Sequence, residues 1–272
     1  MVYFASIMAT SRSRTRLTKV LRHSTGVVTL DDICKSLGVA RVDASKIAAR
    51  WVHQGKLIRI RRGLFAPVPP DSEPETSSVA DPWQLVPELF GTAYVTGWSA
   101  AELWHLTEQI FRRICVRTAN AVRHNIVSVR DAEFFVTHVP EDSIFGTRTR
   151  WAGRVRVPVA DPHRTIVDML DDPRLAGGGR HLADCLASYF ASEHASEDTI
   201  IAYADRVASG AIFKRLGFLA EGIPGSSLAL LEKVRRRLTP GYALLDPAIK
   251  SGRIITRWRL RVPEQFARDR ES

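Results

Sequence analysis

Apolar positions along the chain change period several times, and each change marks an element. Between residues 14 and 24, Leu17, Val20 and Leu21 share one side while Arg16, Lys19 and Arg22 share the other, which predicts a short amphipathic helix. Thr29-Leu30-Asp31-Asp32 has the Ser/Thr-x-x-acid form of a capping box, so a second helix is expected to start after Thr29 and to bury Ile33 and Leu37. Gly38 then supplies the backbone freedom to end that helix, with Val39 tucked under the corner. A third helix is predicted from about Val42 to Gln54. Ala44, Ile47, Ala48, Trp51 and Val52 fall on its buried face, and Ser45, Lys46, Ala49, Arg50 and His53 on the other. Leu57-Ile58-Arg59-Ile60 alternates like a strand before Arg61-Arg62-Gly63 turns the chain into Leu64-Phe65-Ala66. Three helices and a hairpin in this order predict a winged helix-turn-helix over residues 13–67.

A proline-rich, polar stretch at 68–79 predicts a linker. Beyond it the expected body, 80–266, is a larger α+β domain with a mostly antiparallel sheet plus helices. Asp81-Pro82 is expected to open a helix through Phe90, and Tyr94-Val95 a short strand. In Gly97-Trp98-Ser99-Ala100-Ala101-Glu102, Gly-x-Ser-x-Ala approaches a nucleophile elbow, but Ser99 to Glu102 also reads as a capping box, the simpler expectation. Strands are expected around Ile114 to Val116, Glu133 to Val139 and Arg154 to Val157. Asp161 as cap and Pro162 in the first turn open a helix holding Ile166, Val167 and Leu170. Gly177 to Gly179 form a flexible connector to a helix with Leu182, Cys185, Leu186, Tyr189 and Phe190 inward. Further helices are expected around 200–207, 212–220 and 228–238. A terminal strand alternates from Arg257, with Arg257, Arg259 and Arg261 on one face and Trp258, Leu260 and Val262 on the other.

Charge sharpens the division. The chain of 272 residues carries 39 Lys/Arg against 29 Asp/Glu, a net +10. Residues 1–66 hold 13 of those bases and 3 of the acids, leaving 26 against 26 for the remainder, so the surplus sits on the head. A solvated charged face would explain one basic helix. Concentrated charge on a winged helix-turn-helix points instead to double-stranded DNA, through phosphate neutralisation and counterion release. Arg41, Ser45, Lys46 and Arg50 are expected to enter or border the major groove, Thr29 and Lys35 to hold phosphate, and Arg61 and Arg62 to seat the wing. Arg148, Arg150, Arg154 and Arg156, with Arg257, Arg259 and Arg261, form a second candidate nucleic-acid surface. The competing reading of the first four is a charged edge that blocks sheet pairing. From Pro67 to Phe111 there are seven acids and no Lys or Arg, either a solvated surface or a charge that repels DNA and orients the body away from it; as a protein-interaction module the chain would offer Asp71 to Glu108 as bait for a basic partner.

Three scattered cysteines, Cys34, Cys115 and Cys185, make no Cys-x-x-Cys pair and fit a reducing cytoplasm. The opening residues lack the pattern of a signal peptide or membrane span, and the start is open between Met1 and Met8. No catalytic constellation, cofactor motif or metal site stands out. His181 and Cys185 are four apart without a second ligand pair, and Asp161, His163, Asp168, Asp171 and Asp172 read as a cap and a solvated helix end. Neither Asp-x-Lys nor Glu-x-Lys occurs, and Gly225-Ser226 has no Asp-x-Asp partner.

Together, Gln54 to Phe65, Gly97 to Leu106, Asp161 to Leu170, Lys214-Arg215-Leu216-Gly217-Phe218-Leu219-Ala220-Glu221, and Leu245-Asp246-Pro247 before Arg257-Trp258-Arg259-Leu260 resemble the AbiEi family of antitoxins over roughly residues 13–263. The resemblance implies a bacterial repressor that binds inverted repeats at the promoter of its own toxin-antitoxin operon. It also implies counteraction of a nucleotidyltransferase toxin without stable contact, in phage defence by abortive infection. The alternative is a protein-interaction module that neutralises a toxin directly. Oligomeric state is open.

Overall fold

The computed structural model describes residues 15–24, 26–68, 81–249, 251–264 and 266. The expected linker lies outside the described residues apart from Val68, and so does the choice between Met1 and Met8. The described chain clusters into two units, one comprising Met1–Leu89 with Val127–Glu133 and Arg150–Val157, the other Phe90–Ile126, Phe134–Thr149 and Pro158–Ser272.

In the first unit, α1 (15–23) is followed by β1 (Val28–Thr29), α2 (Leu30–Leu37), α3 (Arg41–His53), β2 (Leu57–Arg61) and β3 (Leu64–Pro67). The sheet order is β1-β3-β2, both pairs antiparallel, with Val28 opposite Phe65 and Ile58 opposite Ala66. The two-residue β1 is a strand that hydropathy did not reveal. Leu17, Val20, Ile33, Ala44, Ala48, Trp51, Leu57 and Phe65 form the core, with Leu37, Ile47 and Val52 partly buried against it. The expected inward faces of all three helices therefore meet, and hydrophobic burial holds this small domain together.

The polypeptide continues through a 3-10 turn (Pro82–Leu85), where a helix had been expected throughout, then α4 (Val86–Phe90), β4 (Ala93–Val95) and α5 (Gly97–Leu103). Next come β5 (Arg113–Thr118), β6 (Ile126–Val129), β7 (Ala132–His138), β8 (Thr147–Ala152) and β9 (Val155–Ala160). With β4 they make a six-stranded sheet of order β6-β7-β5-β4-β9-β8, in which β4 runs antiparallel to β5 and parallel to β9. The helices α6 (Pro162–Asp171), α7 (Gly179–Ala191), α8 (Glu197–Val207), α9 (Gly210–Glu221) and α10 (Leu228–Arg235) follow. They share one apolar core with Trp258, Leu260 and Val262. Asp161 caps α6 from its carboxylate to the Arg164 amide at 2.8 Å, with Pro162 in the first turn, as expected. The fold is α+β.

Three local expectations fail for reasons of distant packing. Thr96 stands at the N-cap position of α5, and Ser99 does not cap the helix: its Oγ accepts from the Cys115 amide at 3.0 Å and faces the Arg113 carbonyl, both on β5. The glycine run is a built turn, in which Asp246 Oδ2 accepts from the Gly179 amide and so fills the N-terminus of α7 with a carboxylate of the chain itself. The terminal alternation is broken: β10 (Ala243–Leu244), β11 (Arg253–Ile255) and β12 (Leu260–Val262) form a small sheet, with a 3-10 turn at Thr256–Trp258 between the last two.

Candidate nucleic-acid interface

The site starts from the reciprocal cap of α2. Thr29 Oγ1 accepts from the Asp32 amide at 3.1 Å and donates to Asp32 Oδ2 at 2.8 Å, and the Thr29 amide donates to that same oxygen at 2.8 Å. The cap fixes where α2 begins. It ends at Gly38, in the left-handed region at φ 64°, whose amide donates to the Cys34 carbonyl. A side chain with a Cβ adopts that conformation at a cost, so glycine here sets the corner before α3. After α3, the Lys56 amide donates to the Trp51 carbonyl and the chain enters the wing. The Leu30 amide donates to the Gly63 carbonyl at 3.2 Å, which ties the wing tip to the start of α2.

Between α3 and the wing lies a groove of about 990 Å³. Leu30 and Phe65 line it, the first turns of α3 contribute Arg41, Val42, Ser45 and Lys46, and the wing contributes Arg59 and Arg62. Arg59 stacks over the Phe65 ring at 5.9 Å. Arg41 pairs with exposed Asp31, and Lys46 lies 3.8 Å from Asp43 across one helical turn. Exposed pairs of this kind contribute little to stability and exchange readily for another anion. Arg62 is exposed and has no ion pair or hydrogen bond among the described residues. The groove is thus open, cationic and shaped by two different elements.

Of the eight head residues expected to touch DNA, four line this groove: Arg41, Ser45, Lys46 and Arg62. Arg50 is exposed on the next turns of α3, and Lys35 is exposed on α2. The Thr29 hydroxyl proton is held by Asp32, which leaves it no donor for phosphate. Arg61 turns away and donates to the carbonyls of Glu88 and Leu89. Arg59 was missed, although its strand alternation places it beside Phe65's partner register.

The residues of the second candidate surface are individually engaged. Arg150 pairs with Asp81 at 2.9 Å and stacks over Trp83 at 4.4 Å, Arg148 lies over Trp104, Arg156 lies over Trp151, and Arg154 donates to the Arg22 carbonyl. Arg257 pairs with Glu221 at 2.7 Å. Arg259, at φ 50°, donates to the Thr239 carbonyl at 2.8 Å, and Arg261 is exposed on β12. The 3-10 turn removes the common face that strict alternation would have given these three.

The acidic run at α6 is no solvated end. Asp168 is fully buried and accepts from Tyr94 Oη at 2.9 Å, Thr96 Oγ1 at 2.7 Å and Arg117 Nη1 at 2.8 Å, and it forms an ion pair with Arg164, whose Nε lies 2.8 Å away. Arg117 also bonds Asp171. Burial pushes the Tyr94 hydroxyl well above its usual range, with the Asp168 charge adding to it, so it remains a proton donor. Burial opposes the charge on Arg117, but Asp168, Tyr94 and Asp171 outweigh it and raise its pKa. These groups do not line the cavities beside α7 and α10, and they form a buried ion cluster. His181 likewise bonds Thr107 Oγ1 at 2.7 Å and the Ala176 carbonyl, and among the described residues no His, Cys, Asp and Glu group could hold a metal. Burial raises Cys185 to about 12, with Asp184 contributing, which keeps it a thiol.

Fold and groove define the class: a winged helix-turn-helix, in which a helix is presented for the major groove beside a hairpin wing. Residues 16–68 match the family described as transcriptional regulator, AbiEi antitoxin. The family is one of antitoxins that regulate transcription. The crystal structure of the RV2827C protein from Mycobacterium tuberculosis is similar over 92% of this chain and 90% of that one, with a TM-score of 0.62 and 20% identity. At that identity the two share a fold. No curated protein sequence matches the chain. Among the described residues, no helix is long and apolar enough to cross a membrane.

Proposed function

We propose that this protein is a sequence-specific repressor that binds inverted repeats at the promoter of its own toxin-antitoxin operon in the cytoplasm. The observation that carries the proposal is the groove in which Arg41, Lys46, Arg59 and Arg62 converge from α3 and the wing. Arg41, Ser45, Lys46 and, a turn further on, Arg50 read base edges. Arg59 and Arg62 hold the adjacent phosphates, and Lys35 approaches the backbone from α2. Catalysis forms no part of this role.

The antitoxin partner is a nucleotidyltransferase encoded beside the protein and counteracted without a stable complex, a reading supported by the blocks that resemble AbiEi antitoxins throughout the chain. Two of those blocks meet in the fold, since Glu221 accepts from Trp258 Nε1 at 2.9 Å and pairs with Arg257.

The test is a mobility shift of full-length protein on the DNA immediately upstream of its own gene. A shift that resists scrambled competitor supports the repressor. Equal binding to scrambled DNA would reduce the head to a generic polyanion binder. For the toxin, the expected result is rescue of growth on co-expression without co-elution of the two proteins at micromolar concentration.

A further inference from the structure

The first turns of α3 hold one residue that the cationic account does not use. Val42 is 67% exposed, yet it stands in the groove between Arg41 and Ser45. It has no place in the head's core, which takes Val39, Ile47 and Val52 instead. On a solvent-facing helix position valine has no intrinsic advantage, because β-branching lowers helix propensity and an exposed isopropyl gains nothing from burial. In a helix that same branching leaves essentially one side-chain rotamer, so the two methyl groups are held in place before any ligand arrives. An apolar, preorganised knob surrounded by Arg41, Ser45, Lys46 and Arg62 suits a site where most of the ligand is anionic and one spot is a methyl group. In the DNA major groove that spot is the thymine 5-methyl, the one apolar feature a base pair presents there.

We infer that Val42 is a specificity residue that selects thymine in each operator half-site by packing its methyl groups against the thymine 5-methyl. The inference rests on the proposed DNA-binding reading and deepens it. Ser45 and Lys46, one turn on, then face the neighbouring base pairs, and the contact discriminates A·T from G·C at a position where charge alone cannot.

The experiment uses the full-length protein and the upstream DNA, with each thymine replaced singly by deoxyuridine, which removes the methyl and keeps Watson-Crick pairing. Wild type should lose roughly three- to fourfold in affinity at one position per half-site, the effect of one buried methyl-sized group. Val42→Ala should bind the unsubstituted operator correspondingly weaker and should be indifferent to uracil at that position. Its melting temperature should equal or exceed that of wild type, because alanine is the better helix former. Specific binding by wild type that no uracil substitution weakens would overturn the role of Val42 while leaving the repressor intact. Equal sensitivity of wild type and Val42→Ala would do the same. Absence of any specific binding would overturn the repressor reading itself, and this inference with it.

Discussion

The head and the body treat charge in opposite ways. In the head, Arg41, Lys46 and Arg62 stand exposed around a groove, where Arg41 pairs with Asp31 and Lys46 lies near Asp43. In the second unit, Arg117, Arg164 and Asp168 are buried together, Arg215 donates to the carbonyls of Leu170 and Asp171 at the end of α6, and Lys214 donates to those of Pro240 and Gly241. A charge taken out of water must be matched by partners held in place. A charge left in water is free for a ligand. Under the proposed function the buried ions of the second unit do structural work and the exposed ions of the head bind DNA, and each half of that division can be broken.

The largest effect is expected at the body's centre. Asp168→Asn leaves Arg164 buried without its anion and Arg117 with Asp171 alone, and should destabilise the protein by about 3–5 kcal/mol. Chemical denaturation would read this loss, and a loss below about 1 kcal/mol would make the cluster equivalent to a surface pair. Next comes Gly217, where α9 passes under Trp258 so closely that a Cβ would overlap the indole ring. Gly217→Ala should cost about 1–3 kcal/mol through displaced packing, measured in the same way. Lys46→Ala should reduce discrimination between operator and scrambled DNA by about 1–3 kcal/mol, with the thermal midpoint unmoved.

A smaller effect concerns pH. His163, whose Nδ1 lies 2.7 Å from Tyr189 Oη, is held below its usual pKa mainly by burial, with Asp161 opposing and His194 and Arg148 assisting. The folded state therefore prefers the neutral ring, and the unfolded state binds the proton more readily. This contribution is present above the ordinary histidine pKa and is lost as pH falls through it towards the lower folded value. The melting temperature should fall as pH drops from about 7.5 to 5.5, and His163→Gln should flatten that slope. An unchanged slope would remove His163 from the account.

How far these features were legible follows from where their partners lie. The head was readable because its signals are local: the Thr29 to Asp32 cap, the Gly38 corner and the period of α3 all act within one or two turns. Its β1 escaped notice because two residues gain strand character only from pairing with Phe65 and Leu64. Ser99 had the local form of a cap but was captured by β5, and Asp168 had the local form of a solvated end but is enclosed by Tyr94 and Arg117 from β4 and β5. Among the groove residues, Arg41, Ser45, Lys46 and Arg62 followed from helix face and hairpin order. The redirection of Arg61 to the end of α4 depended on a chain segment that begins more than twenty residues later.

The contrast between free and engaged charge is tested most directly by the salt dependence of operator binding. Affinity of the wild type, Arg59→Ala/Arg62→Ala and Arg150→Ala proteins for the upstream DNA should be measured across a salt series. The head variant should bind more weakly, with a logarithmic salt slope shallower by about 2, one for each released phosphate contact, while Arg150→Ala should keep the wild-type slope. An unaltered slope in the head variant, or an equal change in both, would contradict the assignment of binding to the head.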